Sequence, residues 1–270
     1  MLSESIEIAG VTDTGSVRQF NEDCIAFDAD GGIVVLADGM GGHRAGEIAS
    51  RMATEIIIDS LRHCVADSRA SSSQQTPQLD VRQSINRAND SVYAAAGANP
   101  AYHGMGTTLA LMVFYDNRVT MAHVGDSRIY RLRKNRLKLL TRDDSLLREQ
   151  VELGMIDAAD ARASHNRNLV TRALGIEPHV SPHVRELEVA PDDVFMVCSD
   201  GLNDLVQDAD IELIIASLQS NLPLATQHLV QFAKDNGGFD NISVILVKVS
   251  AAFPATSRRT WFERLFGWLR

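Results

Sequence analysis

Two stretches constrain this chain more than any others: FDADGGIVV (27–35) and FYDNRVTM (114–121). Each joins two apolar runs through a tight Asp/Gly or Asp/Asn turn, and strands joined so closely pair antiparallel. Further short runs rich in Val, Ile and Leu, bounded by Gly, Asp or Asn, read as strands. They span Ile6 to Val11, Cys24 to Asp28, Ile33 to Ala37, Thr107 to Tyr115, Val119 to Val124, Arg128 to Arg133, Val194 to Cys198 and Ile242 to Val249. Helical periodicity interrupts them over Arg44 to Val65, where Ile48, Met52, Ile56 and Leu61 fall near one face. A weaker pattern covers Leu79 to Ala96, after the polar Ser/Gln-rich loop ADSRASSSQQTPQ. A second helix pair, Asp208 to Leu218 and Leu222 to Asn236, precedes the last strand. Strand clusters separated by helix pairs predict an α+β fold, not a doubly wound parallel sheet. The architecture expected is a four-layer α-β-β-α sandwich, with two central antiparallel sheets flanked by antiparallel helix pairs.

The chain of 270 residues, 45% hydrophobic, suits one large domain with a full core. A net charge of −9 gives nothing to counterion release on nucleic acid, so DNA and RNA are excluded as main partners. Cys24, Cys64 and Cys198 form no CxxC pair, which speaks against a disulfide framework or a zinc–thiolate site and for a reducing cytoplasm. The start, MLSESIEIAGVTDTG, lacks the basic and apolar regions of a signal peptide, and no run approaches the roughly 20 apolar residues of a membrane-spanning helix.

Chemistry enters through aspartate. Four apolar runs end or begin at one beside a small residue: IVVLADGMGG at Asp38, TMAHVGDSR at Asp126, VFMVCSDGL at Asp200 and DNISVILV at Asp240. One Asp-Gly after a strand is an ordinary turn. Four on neighbouring strands can meet at one edge of a sandwich, where clustered carboxylates repel unless cations neutralise them. An all-oxygen donor set suits Mg²⁺ or Mn²⁺, and the scattered histidines hold no HExxH spacing for zinc.

The ordered motifs SVRQFNED, VVLADGMGGHRAGEIAS, GMGTTL, HVGDSRIYRL, LTRDDSLLREQVELG, NLVTRALG, CSDGLNDLV and DNISVILV resemble the type 2C (PPM) metal-dependent serine/threonine phosphatases, in their bacterial branch. The resemblance covers about residues 6 to 249. It implies two to three Mn²⁺ or Mg²⁺ ions. Asp38 would bridge two of them with the Gly39 carbonyl as a further ligand, and Asp200 and Asp240 would complete the first. Glu22 would act on the second through water, and Asp126 would hold a third with Asp200. Arg18 would grip the substrate phosphate, for which a guanidinium offers a planar fork. A water or hydroxide bridging the metals would attack phosphorus in line, with no phosphoenzyme. His43 is the candidate general acid for the leaving alkoxide, because Met40 cannot donate a proton; otherwise His43 positions the loop.

The resemblance also implies phosphorylated protein substrates and an opposing bacterial Ser/Thr kinase. Other readings are an inactive phosphoprotein-binding module and a hydrolase of small phosphate esters. Residues 1–250 form the expected catalytic domain, with a flap insertion at about 141–182 that shapes substrate access. Within the flap, Asp143, Asp144 or Ser145 either reaches the third metal or caps the helix that begins SLLREQ. Gly104, Gly106, Thr107 and Thr108 read as structural, and Asn21 and Asn241 as hydrogen-bonding the loops that aim the ligands. Residues 251–270 are a basic aromatic tail. Trp261, Phe262, Leu265, Phe266, Trp268 and Leu269 would stripe a helix beside Arg258, Arg259, Arg264 and Arg270. That stripe would fold back on the core, lie peripherally on a membrane or dock a partner protein.

Overall fold

The computed structural model describes residues 2–42, 44–70, 76–157 and 169–253, so His43, part of the flap and the tail from 254 onward lie outside the described residues. In chain order the elements are β1 (Ile6–Asp13), β2 (Asp23–Asp28), β3 (Ile33–Met40), α1 (Ala45–Ala70), α2 (Pro77–Ala98), β4 (Gly106–Thr107), β5 (Leu109–Tyr115), β6 (Arg118–Val124), β7 (Arg128–Arg133) and β8 (Arg136–Leu139). They continue with α3 (Leu146–Glu152), β9 (His183–Glu188), β10 (Val194–Cys198), α4 (Asp200–Asn203), α5 (Asp208–Leu218), α6 (Leu222–Asp235) and β11 (Ile242–Val249).

Two sheets form, ordered β1-β11-β10-β7-β8 and β2-β3-β5-β6-β9, with β4 paired to β3. Every strand pairing is antiparallel. Strand alternation sorts the core into three layers. Val34, Leu36, Ala110, Met112, Phe195, Val197, Ile245 and Val247 fill the space between the sheets. Ile33, Val35, Leu109 and Leu111 point the other way, against α1 and α2. Met196, Cys198, Val244 and Leu246 point against α5 and α6. Both faces of each sheet are thus covered, which is why strands such as LALMVFY read as unbroken apolar runs although they are antiparallel. Phe114 and Phe195 lock the sheets edge to face, with ring centroids 5.5 Å apart.

The hairpin turns follow their sequences. Asp116 and Asn117 both take positive φ, 47° and 56°, as the type I′ turn between β5 and β6 requires. That turn holds the segment after β11: Asn117 N–H donates to the Phe253 carbonyl at 3.2 Å, and Phe253 N–H donates to Asn117 Oδ1 at 2.6 Å.

Three local expectations change. The face of α1 against the sheet is Ala45, Ala49, Ala53, Ile57 and Leu61, while Ile48, Met52 and Ile56 flank it partly buried. Alanines let the helix axis approach the sheet closely, so its innermost stripe is the least bulky one. The helix also runs on to Ala70, into the stretch read as loop. The strand expected over Thr107 to Tyr115 breaks at Thr108 into β4 and β5. Two strands escaped the sequence reading altogether, β8 and β9. No helix among the described residues is long and apolar enough to cross a membrane.

Candidate active site

The expected ligands gather where strand ends of both sheets meet. Asp38 lies near the end of β3, and Asp126 sits in the link from β6 to β7 that crosses between the sheets. Asp200 opens α4 directly after β10. Asp240 precedes β11 and Glu22 precedes β2.

Backbone clamps set the position of Asp38. Its N–H donates to Thr108 Oγ1 at 3.0 Å. Its carbonyl accepts from Thr107 Oγ1 at 2.9 Å and from Thr108 N–H at 2.8 Å. The strand break at Thr108 therefore turns the Thr-Thr pair onto the neighbouring aspartate. Close backbone approach does the rest. A Cβ on Gly39 would lie 2.1 Å from the Gly46 carbonyl oxygen, so only glycine lets β3 touch the start of α1. That contact brings Glu22 to the helix N-terminus; burial raises its pKa, opposed by the Arg18 charge and by the Gly46 and Glu47 amides. Likewise a Cβ on Gly201 would lie 2.1 Å from the Asn241 carbonyl oxygen, and its absence brings Asp200 beside Asp240.

Asn241 staples the approaching loop. Its amide donates to the carbonyls of Thr14 at 3.0 Å and Phe20 at 2.9 Å, and its Oδ1 accepts from Glu22 N–H at 2.8 Å. Asn21 donates to Thr12 Oγ1 at 2.8 Å and accepts from Asp23 N–H at 3.1 Å. Both asparagines thus hold loops. Arg18 reaches the cluster from this loop: its Nη2 lies 2.7 Å from Asp240 Oδ2, with half of the side chain exposed to solvent.

One member was missed in the sequence. Asp23 pairs with Asp38 across β2 and β3 and is 8% exposed. Its Oδ2 accepts from Ser199 Oγ at 2.9 Å, and Ser199 Oγ accepts from Ser243 N–H at 3.0 Å. This chain of contacts joins the two sheets. The signal was the second acid of NED opening a β run, masked by its neighbour Glu22.

The electrostatics are those of crowded anions. Burial, then the charges of Asp23, Asp200, Asp126 and Asp240, hold the Asp38 carboxyl well above the usual range. Burial, then Asp126, Asp204 and Asp240, do the same to Asp200. Asp126 is pushed up to about 7 by burial and then by the charge of Asp143. Asp23 is pushed up to about 6, chiefly by burial, against hydrogen bonds from Ser243 and Ser199. Asp23 Oδ1 and Asp200 Oδ1 are buried with no hydrogen-bond partner among the described residues. Buried carboxylate oxygens without a partner are costly unless something positive meets them. An all-oxygen set with orphaned oxygens therefore fits hard divalent cations such as Mn²⁺ and Mg²⁺.

Each of the three residues considered for a third ion has a protein partner, and Asp143 still lies near enough to Asp126 to raise its pKa. Asp143 makes a bidentate pair with Arg128 at 3.0 and 2.6 Å. Ser145 caps α3, accepting from Arg148 N–H at 3.3 Å. Asp144 faces His183 at 3.0 Å. Cys198 is wholly buried and its thiol pKa is raised by burial, as suits an inert core side chain.

Comparison with known proteins agrees with this geometry. A serine/threonine phosphatase (stp) of Listeria welshimeri is 35% identical over 246 residues, covering 88% of this chain and 93% of the relative. The crystal structure of the Mycobacterium tuberculosis serine/threonine phosphatase PstP/Ppp superposes with a TM-score of 0.81 at 32% identity, covering 91% of this chain and 99% of that one. A structure of the catalytic domain of the serine/threonine protein phosphatase PstP, in complex with two manganese ions, superposes with a TM-score of 0.79 at 33% identity, covering 91% and 99%. The protein phosphatase 2C family model matches residues 15–232, a span that contains every clustered carboxylate but Asp240. The four-layer architecture, the carboxylate cluster and these likenesses lead to one conclusion: the chain belongs to the protein phosphatase 2C family.

Proposed function

We propose that this chain is a metal-dependent serine/threonine protein phosphatase that hydrolyses phosphoserine and phosphothreonine in proteins. The observation that carries this reading is the convergence of Asp23, Asp38, Asp126, Asp200 and Asp240, with orphaned buried oxygens, beside the Arg18 guanidinium. Asp38, the Gly39 carbonyl, Asp200 and Asp240 would hold two ions, with Glu22 acting through water and Asp126 completing a third position. When bound, the ions supply Lewis acidity and a water acidic enough to ionise near neutral pH.

The chain's own residues supply the rest. Asp240 holds Arg18 at the rim, where its remaining N–H groups can grip phosphoryl oxygens. The oxygen–phosphorus bond from water forms as the bond to the serine or threonine oxygen breaks, and that alkoxide needs a proton. We assign the proton to His43, which lies outside the described residues. The substrates imply a Ser/Thr kinase that makes them. The Cys24 and Cys198 thiols suit a reducing cytoplasm, and the 251–270 tail is the candidate for peripheral membrane or protein docking.

The test is phosphate release from a phosphothreonine peptide, with and without Mn²⁺, for wild type and Asp240→Ala. Release that needs Mn²⁺ and is lost in the variant is the expected result. A folded protein silent with every divalent metal, or active only on nucleotides, would overturn it. In the same assay Arg18→Ala is expected to raise KM about tenfold or more, and an unchanged KM removes its phosphate-binding role. His43→Ala is expected to slow the peptide by about 10²-fold while leaving aryl phosphates, whose leaving groups need no proton, little changed. Equal slowing of both sinks the acid assignment.

A further inference from the structure

Away from the carboxylate cluster, at the base of the flap, a second set of metal-ligating side chains meets. His123 on β6 and His183 on β9 are cross-strand partners. Their rings stack, with centroids 4.7 Å apart and planes 16° from parallel. Asp144, at the flap's start and 5% exposed, closes the group. One ring nitrogen from each histidine and one Asp144 oxygen all lie within 4.8 Å of one another. Four zinc bonds of about 2.0–2.1 Å in a tetrahedron space the ligand atoms roughly 3.3 Å apart, so binding an ion draws these atoms together and turns the imidazoles out of their stack until both lone pairs meet it.

The protonation pattern suits a metal. His123 Nε2 lies 2.8 Å from the Arg142 carbonyl oxygen, which can only accept, so Nε2 carries the proton and the lone pair is on Nδ1. A histidine that gives its other N–H to a carbonyl is the usual arrangement of a metal ligand. Burial lowers the pKa of His123 and favours the neutral ring that a metal needs. His183 Nε2 sits between Asp144 Oδ1 at 3.0 Å and Arg172 Nη1 at 3.2 Å. Arg172 Nη1 is also 3.4 Å from Asp144 Oδ1. An arginine can only donate and a carboxylate only accept, so no single tautomer of His183 satisfies both neighbours. A cation on the lone pair of Nε2 and on Asp144 would satisfy both ligands, and half-exposed Arg172 is free to swing out. Asp144 Oδ2 remains held by Gly125 N–H at 3.2 Å.

We propose that His123, Asp144 and His183 form a binding site for a d-block divalent ion of the Zn²⁺ class, separate from the carboxylate cluster. Two imidazoles and one carboxylate favour such an ion over Mg²⁺, which takes oxygen ligands. Bound there, the ion clamps the flap's base to β6 and β9. Asp144 contacts Gly125, so the clamp lies one residue from Asp126. This assignment does not depend on the chain being a phosphatase.

The experiment uses untagged full-length protein in excess Mg²⁺, titrated with Co²⁺ and followed by its visible d–d absorption. One equivalent of Co²⁺ is expected to give the intense bands of a nitrogen-ligated, low-coordinate ion, and one equivalent of Zn²⁺ to abolish them. Asp38→Asn is expected to leave the bands intact. His183→Ala and Asp144→Asn are each expected to weaken Co²⁺ binding at least tenfold, in samples whose circular dichroism matches wild type. His183 is partly exposed at an edge strand, so its variant tests the site without emptying the core. Absence of the bands in wild type, or equal bands in both variants, overturns the proposal.

Discussion

Asp38→Asn is expected to lower kcat/KM for a phosphothreonine peptide by about 10³-fold or more, while making the metal-free protein more stable. Both effects come from one carboxylate. Asp38 is buried among Asp23, Asp200, Asp126 and Asp240, and burial first and then these charges raise its pKa. Removing its charge removes a member of a repelling group, for which a gain of about 1–2 kcal/mol is reasonable. The backbone bonds to Thr107 and Thr108 do not involve the carboxylate, so the strand end keeps its place. The same change removes the negative charge and one of the two carboxylate oxygens that would hold an ion. Phosphate release with Mn²⁺ and thermal unfolding in EDTA measure the two sides. A variant less stable than wild type in EDTA would show that the carboxylates do not oppose one another.

The second large effect is a stabilisation by metal that grows with pH. Asp126 and Asp23 have folded-state values of about 7 and about 6, against an ordinary 3.8. A carboxyl whose pKa is raised on folding contributes stability that is fully present below the unfolded value, and that stability is lost as pH rises through the folded value. The metal-free protein should therefore weaken between about pH 4 and about pH 7. Metal needs the ionised form, so its affinity rises over the same window as protons cease to compete. At a free ion concentration of 100 times Kd, one site adds about 2.7 kcal/mol, or roughly 5–10 °C in Tm for a chain of this size. The Tm difference between Mn²⁺ and EDTA samples should thus widen from about pH 5 to about pH 7.5. A difference that stays constant or narrows would refute the coupling.

Much of this was legible because both faces of each sheet are covered. Buried strands leave unbroken apolar runs, and Asp116-Asn117 marks its turn by the residues a type I′ turn needs. The strands that escaped, RLKL in β8 and HVRELE in β9, are both at sheet edges. Edge strands carry charge to discourage pairing with other chains, and that charge erases the apolar signal. The stripe on α1 was misplaced for the opposite reason: its innermost residues are alanines, which weigh little in a hydrophobic pattern. At the site, the aspartates announced themselves by standing at the ends of apolar runs. Asp23 also opens such a run but stood behind Glu22, and its place in the site depends on Ser199 and Ser243 from the other sheet. Nor could spacing reveal that His123 and His183, sixty positions apart, face each other across two strands.

The bond pair between Asn117 and Phe253 has a bearing on how the molecule can be attached to anything else. Strand β5 begins beside the clamp on Asp38 and runs seven residues to the turn at Asp116-Asn117. At about 3.3 Å per residue, that turn is roughly 20 Å from the carboxylates, at the other pole of the sandwich. Phe253, paired with Asn117, lies at this back pole. A molecule held at Asn117 and Phe253 would be held from behind, with the carboxylates on the side away from the hold.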